Sequence, residues 1–133
     1  MLVEDLLEDR HAVPRGPVVL GGFSQGAMVA GEVAFRSNVP LSALVVLSGT
    51  IVDEPSWEVH FRRRRNLPVF IAHGRADPVL PFDVADRFRQ KLEASGVPVT
   101  WCPFDGGHEM PAAVIVALNQ FIQRLHIRSK PTR

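Results

Sequence analysis

Three residues far apart in the chain have side chains that could act as one chemical unit: Ser24 in VVLGGFSQGA, Asp77 in HGRADP and His108 in FDGGHEMP. A serine hydroxyl is a weak nucleophile until an imidazole accepts its proton. The imidazole in turn needs a carboxylate to hold its tautomer and to stabilise the imidazolium. Ser, Asp, His is also the chain order that accompanies a serine on a glycine-flanked elbow between a strand and a helix. Gly22-Phe23-Ser24-Gln25-Gly26 satisfies that pattern, G-x-S-x-G. At such an elbow the serine backbone is expected to be strained, with glycines on both sides because strand and helix crowd together. A serine opening a helix also brings the Gln25 amide and the positive end of the helix dipole to any oxyanion formed nearby. Each residue has a plainer reading as well. Ser24 suits a helix N-cap, Asp77 suits an Asp-Pro turn, and His108 suits a solvated loop. Separately the plainer readings prevail; the shared order and strand-end contexts favour the chemical one.

Those contexts come from the alternation of two apolar periods. Pro17-Leu20, Leu44-Leu47, Pro68-Ala72 and Val97-Trp101 are short, β-branched and bounded by Gly, Pro or Ser, which predicts four strands. The first three lack polar alternation, as expected of parallel strands covered on both faces. Helices are predicted over residues 25 to 36 and over Phe82 to Ser95, where Ala85, Phe88 and Leu92 form one stripe before Gly96. A last helix starts at Pro111 and carries Ile115, Leu118, Ile122 and Leu125 at helical spacing. Leu2, Leu6 and Leu7 suggest the end of an earlier helix, residues 51 to 66 an irregular excursion, and 128 to 133 a short basic tail. Strand alternating with helix predicts an open, doubly wound, mainly parallel α/β sheet in a single domain. On such a sheet ligands sit beyond the carboxyl ends of the strands, where Ser24, Asp77 and His108 all fall.

Composition narrows the function classes. With 133 residues, 46% hydrophobic and 22% charged, the chain has the make-up of one globular domain. A net charge of +1 gives no steering toward nucleic acid or an anionic membrane. The run Arg62-Arg63-Arg64-Arg65 lacks interleaved aromatics and reads as a solvated loop. Cys102 is the sole cysteine and reads as a buried thiol within or after a strand rather than as a nucleophile. His11, His60 and His126 share no spacing that suggests a metal site, and no dinucleotide or phosphate-loop fingerprint is present. No metal and no organic cofactor is expected. His73, at a strand end, is expected to hold the Asp77 loop. An acidic N-terminus and the absence of a long apolar run point to the cytoplasm.

LGGFSQGA, PVFIAHGRADPVLP and FDGGHEMP, in that order, resemble the carboxylesterase/phospholipase family of α/β-hydrolases, best known for acyl-protein thioesterases and small bacterial carboxylesterases. The resemblance implies Ser24 as nucleophile, Asp77 as orienting acid, His108 as general base and then acid, and the Gln25 amide as one oxyanion donor. It implies carboxylic esters, lysophospholipids or acyl-protein thioesters as substrates. Ala27 stands where the family usually has a further glycine. Relative to the family, the chain begins inside the helix before the nucleophile strand, so the early strands and the loop with the second oxyanion donor are expected to be missing. One such donor is worth on the order of 3 kcal/mol in the transition state. The first strand would then present an unpaired apolar edge, open to self-association into a homo-oligomer. The expectation is a truncated serine hydrolase domain. Its rival is an α/β module that keeps the three residues but only binds a partner chain. A dienelactone-hydrolase-like enzyme would place a cysteine where this chain has Ser24.

Overall fold

The structure, a computed structural model, describes residues 17–50 and 57–129. The expected opening helix, His11, residues 51–56, the side chain of His126 and residues 130–133 lie outside the described residues. Four strands, β1 (Val19–Phe23), β2 (Ala43–Leu47), β3 (Val69–Gly74) and β4 (Val99–Phe104), form one all-parallel sheet in the order β1-β2-β3-β4. The helices are α1 (Gln25–Arg36), α2 (Glu58–Arg63), α3 (Phe82–Ala94) and α4 (Ala112–Ser129). This is the α/β sheet that the alternation predicts.

Burial follows from the strand period of two. Leu20, Leu44, Val46, Val69 and Ile71 point to one face and meet Ala30, Ala34 and Phe35 of α1, Phe61 of α2, and Phe88 and Leu92 of α3. Ala43, Val45, Leu47, Phe70 and Ala72 point to the other and meet Val114, Phe121 and Leu125 of α4. β2 and β3 are buried along their whole length, which is why they carry no polar alternation. Full burial of each large apolar side chain contributes about 1.5–3 kcal/mol. The edge-to-face packing of Phe35 on Trp57 and Phe61 adds directional contact to the first core.

Several boundaries differ from expectation for physical reasons. β1 does not break at the glycines but runs through Gly21 and Gly22 to Phe23, because its ladder on β2 continues to Phe23 opposite Leu47. β4 runs on to Phe104 and tolerates Pro103 because it is an edge strand among the described residues. The expected irregular stretch contains α2, too short to be stable alone but anchored by Phe61, which is fully buried. α4 extends into the expected tail as far as Ser129. Its buried stripe is Val114, Phe121 and Leu125, with Leu118 partly covered, while Ile115 and Ile122 are exposed.

The arginine run is solvated, as expected, at three of its four residues, but it is not simply a loop: it spans the end of α2 and the turn after it, and two of its members are bonded to α1 and the segment that follows. The Arg64 guanidinium donates to the carbonyls of Ala34, Ser37 and Val39 at 2.8–2.9 Å. Arg63 donates to the Phe35 carbonyl at 2.9 Å and to Asn38 Oδ1 at 3.3 Å. Both cations thus satisfy the orphan acceptors and the negative pole at the end of α1, the helix that Ser24 opens. Arg62, Arg63 and Arg65 are exposed, and only Arg64 is partly buried.

Candidate active site

The elbow is defined by steric crowding. Ser24 has φ +58° and ψ −119°, a conformation that costs an L-residue on the order of 1–3 kcal/mol and persists only when its surroundings enforce it. The enforcement is visible. The Ser24 amide donates to the Leu47 carbonyl at 2.8 Å, and the Ser24 carbonyl accepts from the amides of Ala27 and Met28. A Cβ on Gly22 would lie 2.4 Å from the Gly26 carbonyl carbon, so position 22 must be glycine. Gly26 is different, since a Cβ there meets nothing within 4 Å among the described residues. The expectation that both flanking glycines must be small therefore holds for one of them. A second brace had no sequence signal: β2 is followed directly by Ser48, also at positive φ (+51°), and a Cβ on Gly49 would fall 2.6 Å from that of Ala27 and 3.1 Å from the Ser24 carbonyl oxygen.

The side chain of Ser24 makes no N-cap hydrogen bond. Its Oγ stands 2.8 Å from His108 Nε2, and His108 Nδ1 stands 2.8 Å from Asp77 Oδ2. A carboxylate oxygen only accepts, so Nδ1 carries the proton and Nε2 offers its lone pair to the hydroxyl. The strands thus bring together the three residues that sequence singles out, from the carboxyl ends of β1, β3 and β4. The Gln25 amide is at the first helical position, among the donors that a helix leaves without an intrahelical partner.

The acid and the imidazole are carried by two loops bonded to each other. Arg75 N–H donates to the Phe104 carbonyl and Ala76 N–H to the Gly106 carbonyl, both at 2.9 Å. A Cβ on Gly74 would lie 2.2 Å from the Gly107 carbonyl oxygen, so the loops close only over a glycine. The Asp77 side chain is fully buried, and its Oδ1 accepts the amides of Val79 and Leu80 at 2.8 and 2.9 Å. Burial alone would raise the pKa of this carboxyl. The Leu80 amide, the His108 imidazole and the Val79 amide outweigh it, and the pKa lies below the ordinary carboxylate value.

His73 is fully buried, and its Nε2 lies 2.8 Å from the Leu80 carbonyl and 3.4 Å from Asp77 Oδ2, so it does touch the Asp77 loop. Two neighbours of His108 were missed. The Phe23 ring packs against the imidazole with centroids 5.0 Å apart, and the Glu109 carboxylate accepts the Gly107 amide at 3.0 Å. Phe23 occupies a variable position of the elbow pattern, so only its exposure on a rim strand could have marked it. Cys102 lies within β4, half-buried against the second core, and burial raises its pKa. It is remote from the elbow in the sheet order and poorly suited to nucleophilic chemistry. Among the described residues, no cluster of His, Cys, Asp or Glu is placed to hold a metal ion, and no helix is long and apolar enough to cross a membrane.

Comparison with known proteins gives a consistent picture. The phospholipase/carboxylesterase family model matches residues 1–126. Acyl-protein thioesterase 1 of Yarrowia lipolytica is 32% identical over 109 residues, covering 78% of this chain and 48% of the relative. The Debaryomyces hansenii protein of the same name is 33% identical over 89 residues, 66% of this chain and 38% of the relative. Among solved structures, esterase PE8 superposes with a TM-score of 0.72 at 28% identity, over 80% of this chain and 49% of that one. Zea mays acyl-protein thioesterase 2 shares the fold, with a TM-score of 0.79 at 21% identity over 92% of this chain and 62% of that one. This chain spans half or less of the length of the two curated relatives. With the family model matched along almost all of its length, the chain belongs to the phospholipase/carboxylesterase family.

Proposed function

We propose that this domain is a serine hydrolase that cleaves carboxylic esters or thioesters through an acyl-enzyme intermediate. The observation that carries the reading is the continuous line of contacts Ser24 Oγ, His108 Nε2, His108 Nδ1 and Asp77 Oδ2, with 2.8 Å at each hydrogen bond. Ser24 Oγ attacks the acyl carbon while its proton passes to His108 Nε2. The tetrahedral adduct expels the alcohol or thiol, which leaves with that proton. Water, deprotonated by the same nitrogen, then attacks the acyl carbon, and the carboxylic acid departs as the proton returns to Oγ. Buried Asp77 stabilises the imidazolium formed at each step, and the Gln25 amide, beside the positive end of α1, donates to the developing oxyanion. This chemistry needs neither metal nor organic cofactor. The substrate is a small ester, an acyl lipid or an acylated protein, met in the cytoplasm. The proposal extends to 1–133 acting as a single domain.

A fluorophosphonate reagent tests the reading on the full chain. Folded protein is expected to be labelled on Ser24, and Ser24→Ala and His108→Ala are expected to abolish labelling while keeping the native melting transition. Folded wild-type chain that stays unlabelled would turn the reading toward a non-catalytic module that binds a partner.

A further inference from the structure

His73 lies outside the line of proton transfer yet is tied to its acidic end. It is fully buried at the end of β3, four residues before Asp77, with the Phe82 ring 6.3 Å away. Its Nε2 lies 2.8 Å from the Leu80 carbonyl oxygen. A carbonyl can only accept, so Nε2 carries the proton. Nδ1 is buried without a partner among the described residues, so the ring's one hydrogen bond to the protein backbone there is made through Nε2. The N–H also lies 3.4 Å from Asp77 Oδ2, the oxygen that receives His108.

The geometry closes a loop. His73 holds the carbonyl of Leu80, and the amide of Leu80 holds Asp77 Oδ1. The turn Asp77–Leu80 is thereby pinned at both poles of the Leu80 residue, and the carboxylate can neither rotate nor withdraw from His108. A residue serving only to fill space would need no oriented N–H, and an apolar side chain of similar volume would avoid the orphan nitrogen. We propose that His73 is a positioning residue for Asp77, using its Nε2–H to fix the Leu80 carbonyl and so the direction in which the carboxylate meets His108. This inference rests on the proposed hydrolase reading for its kinetic consequence but not for its structural one.

Two amide variants separate positioning from space-filling, because a glutamine amide nitrogen falls near the place of Nε2 and an asparagine amide nitrogen near that of Nδ1. Fluorophosphonate labelling is followed as a rate constant, alongside the fraction of protein that reacts. Positioning predicts that His73→Gln labels near the wild-type rate. His73→Asn should react to the same final stoichiometry but about ten- to a hundredfold more slowly, as expected of a slightly misplaced group. Equal rates for the two folded variants, or a lowered fraction reacting at an unchanged rate, would overturn the proposal and leave the hydrolase reading intact. Imidazole nitrogen chemical shifts of the wild-type chain decide the matter even if neither variant folds or the wild type does not label. His73 is expected as the neutral Nε2–H tautomer, and finding the proton on Nδ1 would overturn the inference.

Discussion

The two halves of the site are held by different physics. The nucleophile half is steric: Ser24 sits at φ +58° because β1, α1 and the Ser48–Gly49 bend leave its backbone no other place. The acid–base half is a hydrogen-bond assembly, in which the loops after β3 and β4 are tied by two backbone bonds and the Asp77 carboxylate is saturated by N–H groups. Crowding fixes a position well and is indifferent to charge and pH. Hydrogen bonding to a buried carboxylate fixes a direction and a protonation state, and it is vulnerable to both. A proton acceptor must be aimed, whereas a hydroxyl has only to be presented, which suits each half to its half of the chemistry.

The sharpest way to break the comparison is Asp77→Asn, which preserves shape while removing charge. The Asn amide would face His108 Nδ1 and favour the wrong tautomer, so the labelling rate of Ser24 should drop on the order of 10⁴-fold while the elbow keeps its backbone. A rate within tenfold of wild type would mean that the acid–base half is not used. Next in size are two glycine substitutions that strike one half each. Gly74→Ala drives a methyl to 2.2 Å from the Gly107 carbonyl and must part the two loops, whereas Gly22→Ala drives one to 2.4 Å from Gly26 and must part strand from helix. Each should cost about 3 kcal/mol or more, read as a lowered melting temperature. Only Gly74→Ala should also erase the downfield proton resonance of His108 Nδ1 donating to Asp77. Loss of that resonance in both variants would show the halves to be one unit.

Acid should act on one half alone. The Asp77 pKa is depressed below 3.8 in the folded chain, so its stabilisation is fully present above the unfolded value. It is lost as pH falls through the folded value, below about pH 4. Melting temperatures of wild type and Asp77→Asn, compared from pH 6 down to pH 2.5, should draw closer together toward the acid end. Parallel curves would mean that the native carboxylate gains nothing from its amides.

What could be read from the sequence divides along the same line. Residues that announce their own local geometry were legible. Gly22 and Ser24 spell an elbow, Asp77-Pro78 a strand-end turn and Gly106-Gly107 a loop before a helix, while the periods of β2, β3 and α1 locate the sheet. Features made by contact across the chain were not. The task of Arg63 and Arg64 is set by carbonyls 25 to 30 residues earlier, which no local pattern encodes. The helix α2 exists because Phe61 finds a core, and the stripe of α4 is turned to bury Phe121 rather than Ile122 because the sheet offers Phe70 there. Each is a tertiary choice among locally equivalent options.

The smallest expected effect bears on the elbow pattern itself. Gly22 and Gly26 look equivalent in G-x-S-x-G, yet only Gly22 is closed in by its neighbours, and Gly26 lies in α1 without a positive φ. If the serine is held by crowding of strand against helix backbone, a methyl on Gly22 must disturb it and one on Gly26 need not. Gly26→Ala should therefore leave the stability unchanged or raise it by the few tenths to about 1 kcal/mol that alanine gains over glycine in a helix, read as an equal or slightly higher melting temperature. Its labelling rate should match wild type for a small fluorophosphonate. A rate that falls as the reagent's alkyl chain grows, with stability unchanged, would sharpen the comparison in another direction. The open space beside Gly26 would then be room that an acyl chain occupies, and the second glycine would answer to the substrate rather than to the fold.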